Sequence, residues 1–200
     1  MSTRTFLALD LDDEVLDRIE EAKRRLQDET TDDVINWVER ENLHVTLSFA
    51  GALNDAQLAE ICSQAHAVAS SVEAFDFDVI GLSCQPTQGR SPRMIWADIQ
   101  DGTGRLTLLQ ELLNDVLGSM GLRQENREFH PHVTLARIKT CKNSAALRDK
   151  ARELSIMDFG VQHAHEIVVY SSHLFRTGPQ YRPVARFELG DSGMLEDPSL

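Results

Sequence analysis

The tetrapeptide His-Val-Thr-Leu occurs twice in the chain, beginning once at His44 and once at His132, 88 residues later. This distance is too long for a small stacked repeat, and in a chain of 200 residues it suits two halves of one domain. Ten residues after each histidine lies the start of a helical pattern, at Asn54 and Lys142. We therefore interpret the two copies as corresponding strands of two related halves.

The alternation of side chains along a strand predicts which face of the sheet each residue of the repeat occupies. Successive side chains of a strand point to opposite faces, so the histidine and threonine of one copy share a face and the valine and leucine share the other. We expect the apolar faces to pack under helices. We expect the polar faces to converge on one cleft, which brings together His44, Thr46, His132 and Thr134.

The rest of the chain alternates apolar runs of strand length with helical patterns. We predict helices after Asp12, Asn54 and Ser144 and another that ends at Gly118. Strands are predicted over residues 6–11, 34–38, 44–49, 75–84, 94–99, 166–175 and 181–189. The predicted fold class is α+β, with one two-lobed domain over residues 1–189 and a flexible acidic tail over residues 190–200.

Composition excludes several classes of protein. A net charge of −12 and a pI near 4.9 argue against binding long stretches of nucleic acid, including duplex DNA, and favour short substrates. No apolar run reaches the length of a membrane span, and MSTRTFLALDLDD is typical of a first strand and not of a secretory signal, so we expect a cytoplasmic protein. The three cysteines are odd in number and form no CxxC, so we expect reduced thiols at Cys62, Cys84 and Cys141.

Two histidines and two threonines around one cleft suit chemistry at phosphorus. With an ordinary pKa near 6.5, one imidazole can accept a proton while the other donates one. Threonine hydroxyls can donate hydrogen bonds to phosphoryl oxygens without adding charge. Each proton-transfer group would contribute roughly 10²- to 10⁴-fold to the rate.

The sequence resembles the 2H phosphoesterases, and among them the RNA 2′,3′-cyclic phosphodiesterase family, also called 2′-5′ RNA ligases. Five segments carry the resemblance: FLALDL, NWVERENLHVTLSFAG, PRMIWADI, FHPHVTLARIK and IVVYSSHLFRTGPQYRPVARFEL. They span nearly the whole chain. The resemblance implies a bilobal fold in which two antiparallel sheets line a central cleft and the helices lie outside.

The resemblance also implies an activity, namely hydrolysis of a 2′,3′-cyclic phosphate to a 2′-phosphomonoester without a metal or other cofactor. His44 would be the proton donor and His132 the proton acceptor, with Thr46 and Thr134 on the phosphate. Reversible 2′-5′ ligation would exchange the two roles. The implied substrates are RNA ends or small nucleotides with a 2′,3′-cyclic phosphate. We expect a monomer, because a two-lobed domain completes its own cleft.

Two residues five positions after the histidines complete the expected site. The resemblance places Arg137 at the phosphate, but an odd separation along a regular strand would point it away from His132, so we predict a bulge or the strand end between them. A surface arginine is the alternative. Phe49, its counterpart in the first copy, is expected either to stack on a base or ribose or to pack in the core. The chain departs from the family at His130, where arginine is common before the proline.

Other interpretations of these histidines stay open on sequence alone. A single strand histidine is more often structural than catalytic. The HxH pairs at 130/132 and 163/165 occur in metal sites, although no nearby carboxylate completes a known zinc spacing. A non-catalytic module that binds RNA ends or nucleotides in the same cleft is the main alternative to an enzyme.

Overall fold

The computed structural model describes residues 2–29, 34–175 and 178–190. The described strands are β1 (Thr3–Asp10), β2 (Val34–Trp37), β3 (His44–Leu53), β4 (Phe75–Gln85), β5 (Met94–Gln100), β6 (His132–Thr140), β7 (Asp158–Ala164), β8 (Glu166–Phe175) and β9 (Gly178–Glu188). The described α-helices are α1 (Asp13–Glu29), α2 (Asp55–Ser71), α3 (Arg105–Ser119) and α4 (Ser144–Glu153). The tail predicted over residues 190–200 falls, except for Gly190, outside the described residues.

All nine strands belong to one antiparallel sheet with the order β7-β4-β5-β6-β3-β1-β8-β9, and β2 pairs with the far end of β6. The centre of the sheet is a single pairing between β3 and β6, in which Val45 lies opposite Val133. We call β3-β1-β8-β9 the first lobe and β7-β4-β5-β6 with β2 the second lobe. The α+β class is confirmed, and the two expected sheets are two lobes of one continuous sheet.

The lobes do not coincide with the halves of the chain. Strands β8 and β9 come last in the sequence and return to the first lobe, where β8 pairs with β1. The helices also cross between lobes. Helix α1 follows β1 of the first lobe but packs against β7 and α4 of the second, and α3 follows β5 of the second lobe but packs against β3 and α2 of the first.

The helices bury the apolar positions that their spacing predicts. In α1 the residues Val15, Ile19, Ala22 and Leu26 are at most 1% exposed. Helix α2 begins with a capping box in which the side chain of Asn54 accepts from the Gln57 N–H and the Gln57 side chain accepts from the Asn54 N–H. The cap of α4 is Asn143, not the predicted Ser144, because the Asn143 side chain reaches the Ala146 N–H.

Strand β7 is absent from the sequence prediction. Its sequence DFGVQHA contains Asp and Gly, which are poor strand formers, and its buried residues Phe159, Gln162 and Ala164 do not follow a regular alternation. It forms the outer strand of the second lobe through pairing with β4. Within the described part of the chain, no helix is long and apolar enough to cross a membrane.

Candidate active site

The two HVTL strands meet where the lobes join. Strands β3 and β6 run antiparallel with Val45 opposite Val133, so His44 lies toward Thr134 and Thr46 toward His132. Val45, Leu47, Val133 and Leu135 are at most 3% exposed and belong to the core. The predicted division of faces is thus confirmed, and the His/Thr face is turned to the opposite side of the sheet from the core.

Both strands contain the same irregularity two residues after the threonine. The register of β3 with β1 shifts between Leu7 and Ala8, and the register of β6 with β5 shifts at the corresponding place, between Ile95 and Trp96. Each shift inserts one extra residue on the HVTL strand, so two consecutive side chains are buried and the phase of the strand changes. The bulge predicted before Arg137 is therefore present.

The bulge determines where Phe49 and Arg137 point. Both follow the two consecutive buried positions of their strands and are exposed, on the face that carries the histidines. Phe49 is 65% exposed and its ring centroid is 6.1 Å from that of Phe6, so the core alternative for Phe49 is wrong. The charge of Arg137 lowers the pKa of both His44 and His132, so the guanidinium is within electrostatic reach of both imidazoles.

The His44 imidazole is held by hydrogen bonds on both ring nitrogens. Nδ1 lies 2.7 Å from the carbonyl oxygen of Asn42, and since a carbonyl only accepts, Nδ1 carries a hydrogen. Nε2 lies 3.0 Å from Thr46 Oγ1. The Phe6 ring lies 5.0 Å away and the Tyr181 ring meets the imidazole edge-on at 5.4 Å. Ring orientation and tautomer are therefore fixed by neighbours in the first lobe.

His132 makes the same kind of hydrogen bond to the backbone as His44 but has a different aromatic neighbour. Its Nδ1 donates to the carbonyl oxygen of His130 at 2.7 Å, which leaves Nε2 directed away from the backbone. The indole of Trp96 stacks on the imidazole with ring centroids 3.7 Å apart and the planes 17° apart. Trp96 faces Thr134 across the strand pair, whereas Ala8 holds the equivalent place opposite Thr46.

Burial lowers the pKa of both histidines below 6.5, because the charged imidazolium loses solvation. The remaining influences differ between the two. For His44, the bond to Asn42 and the negative charge of Asp10 act to raise the pKa, while His132 and Arg137 act to lower it. For His132, the bond to the His130 carbonyl acts to raise the pKa, and the charges of His130 and Arg137 lower it. Only His44 has a carboxylate among these influences.

Each histidine nonetheless faces an aspartate across the sheet. Asp10 of β1 pairs with His44, and Asp98 of β5 pairs with His132. Sequence reasoning missed both residues, although a signal was present. Asp98 follows Asp10 by 88 residues, as His132 follows His44, and each aspartate follows an apolar run, FLAL in one case and MIWA in the other.

The two aspartates have different partners. Asp10 accepts a hydrogen bond from the Tyr170 hydroxyl at 2.7 Å and forms an ion pair with Arg186 at 3.0 Å. Asp98 accepts from Ser83 Oγ at 2.7 Å, and its pKa is raised by burial. The two lobes therefore differ in the partner of the aspartate that faces each histidine, which is an arginine and a tyrosine for Asp10 and a serine for Asp98.

The other histidines lie away from this cluster or at its margin. His130 is exposed and lies 3.8 Å from Glu128, and the His130–Pro131 peptide is trans, since Gln85–Pro86 is the one cis bond in the described residues. His163 contacts Asp76 at 2.6 Å and stacks with His165 near the outer edge of the second lobe. Over residues 2–29, 34–175 and 178–190, no three His, Cys, Asp or Glu side chains are grouped as ligands for a metal ion.

The arrangement supports proton transfer to and from opposite sides of a small anion. Two imidazoles with fixed tautomers flank the junction of the lobes, Thr46 and Thr134 share their face of the sheet, and Arg137 supplies a positive charge. The tyrosines Tyr170 and Tyr181, Trp96 and Phe6 form the walls, and sequence reasoning missed all four because an aromatic residue in a strand does not reveal which face it occupies.

Comparison with known proteins gives matches along the whole chain. The model of the 2′-5′ RNA ligase superfamily matches residues 11–171. A protein of Aeropyrum pernix named RNA 2′,3′-cyclic phosphodiesterase is 36% identical over 158 residues, covering 79% of this chain and 88% of that protein. A protein of the same name from Methanothermobacter thermautotrophicus is 30% identical over 191 residues, covering 94% and 100%.

Solved structures share the fold. A crystal structure of TT0787 from Thermus thermophilus superposes with a TM-score of 0.78 at 24% identity, covering 94% of this chain and 98% of that one. LigT of Escherichia coli in complex with 3′-AMP gives a TM-score of 0.73 at 23% identity, covering 94% and 99%. The two-lobed sheet with helices outside is thus a fold already seen in experiment.

Proposed function

The chain belongs to the 2′-5′ RNA ligase superfamily, and from that membership we propose that it is an RNA 2′,3′-cyclic phosphodiesterase. It hydrolyses the cyclic phosphate at an RNA end to a 2′-phosphomonoester. The observation that carries this proposal is the convergence of two bulged HVTL strands, which brings His44, His132 and Arg137 within electrostatic reach of one another. Relatives that share the name include proteins 27–36% identical to this chain.

In the proposed reaction a water molecule attacks phosphorus opposite the 3′-oxygen. His132 Nε2 removes a proton from the attacking water, and the new P–O bond forms as the P–O3′ bond breaks. His44 Nε2 delivers a proton to the departing 3′-oxygen. The product keeps its phosphate on the 2′-oxygen, and the two histidines return to their starting states by proton exchange with solvent.

The assignment of donor and acceptor is supported by the neighbours of each histidine. Asp10 faces His44 and is paired with Arg186, so a fixed negative charge favours the charged, proton-donating form of His44. His132 is subject to the positive charges of His130 and Arg137, which favour the neutral, proton-accepting form. Ligation would follow the same steps with an RNA 5′-hydroxyl in place of water, and cleavage of the 2′-5′ bond would run them in reverse.

The remaining site residues act on the anion and on the nucleoside. Thr46 and Thr134 donate hydrogen bonds to the non-bridging oxygens, and Arg137 neutralises the charge that develops on them. Phe49 is exposed at the equivalent position of the first lobe and offers a stacking surface to the base or ribose. The reaction as proposed uses side chains only and no cofactor.

The direct test is to incubate the protein, in the presence of a chelator, with an oligonucleotide ending in a 2′,3′-cyclic phosphate and to identify the product by phosphorus NMR. The expected product is the 2′-phosphomonoester. A 3′-phosphate would contradict the leaving group assigned to His44. Tight binding of the nucleotide without turnover would support the non-catalytic binding module, and activity lost with the chelator and restored by a metal would overturn the metal-free mechanism.

A further inference from the structure

The imidazole of His132 is held by fewer hydrogen bonds than that of His44. Both rings donate from Nδ1 to a backbone carbonyl oxygen at 2.7 Å. His44 has a second bond, between its Nε2 and Thr46 Oγ1 at 3.0 Å. Within the described part of the chain, no group forms a hydrogen bond with Nε2 of His132. One hydrogen bond does not fix the plane of a ring, so another contact must orient His132.

The indole of Trp96 supplies that contact. The centroids of the two rings are 3.7 Å apart and their planes 17° apart, so the imidazole lies flat on the indole. Strand pairing explains the arrangement, because Trp96 lies opposite Thr134 and its next neighbour on the same face of β5 lies opposite His132. The corresponding position of the first lobe is Ala8, which has no ring.

Trp96 faces the cleft and is not a core residue. Its neighbours along β5, Ile95 and Ala97, are fully buried on the other face of the sheet. A buried indole N–H usually has a hydrogen-bond acceptor, yet Nε1 of Trp96 is buried and has no partner among the described residues. A buried donor without an acceptor is destabilising. The orientation of the indole therefore serves the contact of its face with His132 and not its N–H group.

The stack leaves the reacting atom of His132 accessible. Because Nδ1 carries the hydrogen, the lone pair of the neutral ring is on Nε2. A donor bonded to Nε2 would also orient the ring, but it would occupy this lone pair. Contact with an aromatic face orients the ring and leaves the lone pair open. Stacking therefore suits a histidine that accepts a proton, whereas the Thr46 hydroxyl can accept the Nε2 hydrogen of a charged His44.

The indole face also stabilises the product of the proton transfer. An aromatic face attracts a cation that lies within about 6 Å of its centroid, and the face of tryptophan does so most strongly. When Nε2 of His132 takes a proton, positive charge appears on a ring that is 3.7 Å from the indole. The neutral imidazole carries no such charge. The contact with Trp96 thus becomes stronger as the proton moves, which is the kind of interaction that accelerates a reaction.

The charged groups around His132 do not supply this stabilisation. His130 and Arg137, on the same strand, lower the pKa of His132, and His44 faces it from β3. Asp98 faces it from β5 but is not among the charges that shift its pKa. Apart from the backbone hydrogen bond at Nδ1, the indole face is the contact among the described residues that favours the imidazolium.

We propose that Trp96 is the positioning residue of the general base: it holds the His132 ring with Nε2 open to the attacking water and stabilises the imidazolium that forms there. This inference rests on the proposed function and adds a residue to it. In the first lobe two residues share these tasks, since Thr46 holds the ring of His44 and Asp10 favours its charge. An aromatic face suits the second lobe because it puts no negative charge beside the anionic phosphate.

The test changes the electron density of the indole face and keeps the size of the ring nearly constant. The chain has two tryptophans, so W37F retains only Trp96 and the matched control W96F retains only Trp37. Each variant is produced with tryptophan and with its mono-, di- and tetrafluorinated analogues, in which fluorine progressively withdraws electrons from the face. For each protein, kcat and KM are measured on a 2′,3′-cyclic mononucleotide. The pKa of His132 is measured by NMR from the histidine ring signal that is absent in H132Q.

In W37F the pKa of His132 should fall by about 0.5 to 1 over the fluorinated series, because the face loses its attraction for the cation. Over the same series kcat should fall by about 3- to 10-fold, and KM should stay within about twofold. In W96F, fluorination of Trp37 should change none of these values. Without fluorine, W96F keeps a weaker aromatic face and should have a kcat between those of the wild type and W96L, which keeps apolar bulk and no face.

Three results would overturn the inference while leaving the proposed function intact. If the pKa and kcat of W37F do not change along the fluorinated series, the indole contributes bulk alone. If W96L raises KM and leaves kcat unchanged, Trp96 is a wall for the substrate. If W96L raises the pKa of His132, the indole acts by excluding water. Failure of the wild type to hydrolyse any cyclic nucleotide would instead refute the proposed function, and the NMR titration of the fluorinated series would then test the stack without turnover.

Discussion

The HVTL strands of the two lobes have the same backbone and different neighbours. Both begin at the histidine, both contain a bulge after the leucine, and both hold the histidine Nδ1 on the carbonyl oxygen two residues earlier. The side chains around the two histidines differ. The rings of Phe6 and Tyr181 lie beside His44, and Asp10, which forms an ion pair with Arg186, lies opposite it. His132 instead stacks on the indole of Trp96.

This difference explains how a near-symmetric scaffold can perform a reaction that has a direction. The backbone delivers two identical side chains to one centre, and identical groups would compete for the same proton. Different neighbours separate them, since a carboxylate beside one imidazole acts to raise the pKa of that imidazole relative to the other. The two lobes therefore position their histidines in the same way, but each histidine has a different role in proton transfer.

The largest expected effect comes from removing either histidine. His44→Ala and His132→Ala should each lower kcat by about 10²- to 10⁴-fold, and the double variant should lose little more, because the two act as a unit. His66→Ala changes an exposed histidine on α2 and should leave turnover unchanged. Thermal unfolding should be nearly the same for all variants. Near-normal turnover in either single variant would show that the lobes are not both catalytic.

The next effect tests the equivalent positions after the bulges. Arg137→Gln should lower kcat/KM by about 10- to 100-fold, in line with loss of a charged hydrogen bond of about 1.5–3 kcal/mol. Phe49→Ala should act mainly through KM, by about tenfold, since it removes stacking surface and no charge. Steady-state kinetics on a cyclic mononucleotide separates the two. A purely KM effect in the arginine variant would place Arg137 outside the reacting centre.

A smaller effect distinguishes the two aspartates. Asp10→Asn removes the charge that favours protonation of His44, so the pKa of His44 falls further below 6.5 and kcat/KM at pH 7 should drop by about tenfold. Asp98→Asn should change kcat/KM by less than about threefold, because Asp98 is not among the groups whose charges shift the pKa of His132.

The pH profile shows whether the aspartate acts through His44. In Asp10→Asn the limb of the profile where activity falls with rising pH should move to lower pH, and in Asp98→Asn it should stay in place. Equal shifts in the two variants would mean that the lobes are electrostatically alike. A loss in Asp10→Asn without any shift would assign Asp10 a role in holding Tyr170 and Arg186.

The smallest effect is the position of the wild-type pH optimum. Burial lowers the pKa of both histidines, so kcat/KM, which reports the free enzyme, should be highest below pH 6.5 and should fall as the pH rises and His44 loses its proton. The profile of kcat should lie at higher pH, because bound phosphate stabilises the charged imidazole. A kcat/KM optimum above pH 7 would contradict these directions.

Most of this site follows from the repeated tetrapeptide. Alternation gives the polar and apolar faces, and the resemblance, which places Arg137 at the phosphate, led from its odd spacing to the expectation of a bulge or strand end, of which the structure contains the bulge. Asp10 and Asp98 were also within reach, because they repeat at the same distance as the histidines. Comparison of the whole chain with itself at that offset, beyond the identical letters, would have found them.

Other features depend on tertiary contacts that local patterns do not report. The exchange of helices between lobes and the return of β8 to β1 are set by which apolar faces fit together. Strand β7 is held by pairing with β4 and not by its own strand propensity. Net charge gives the average of the surface and does not report how the charges are distributed over it.

The crossing of α1 and α3 has a consequence for how the molecule folds. Helix α1 follows a strand of the first lobe and covers the second lobe, and α3 follows a strand of the second lobe and covers the first. Neither lobe can therefore bury its core until both stretches of chain are present. A fragment ending after α2 would lack the β7 and α4 surface that covers α1. Folding is therefore expected to be all-or-none, with one calorimetric transition, and the two histidines come together in the same cooperative step that forms the core.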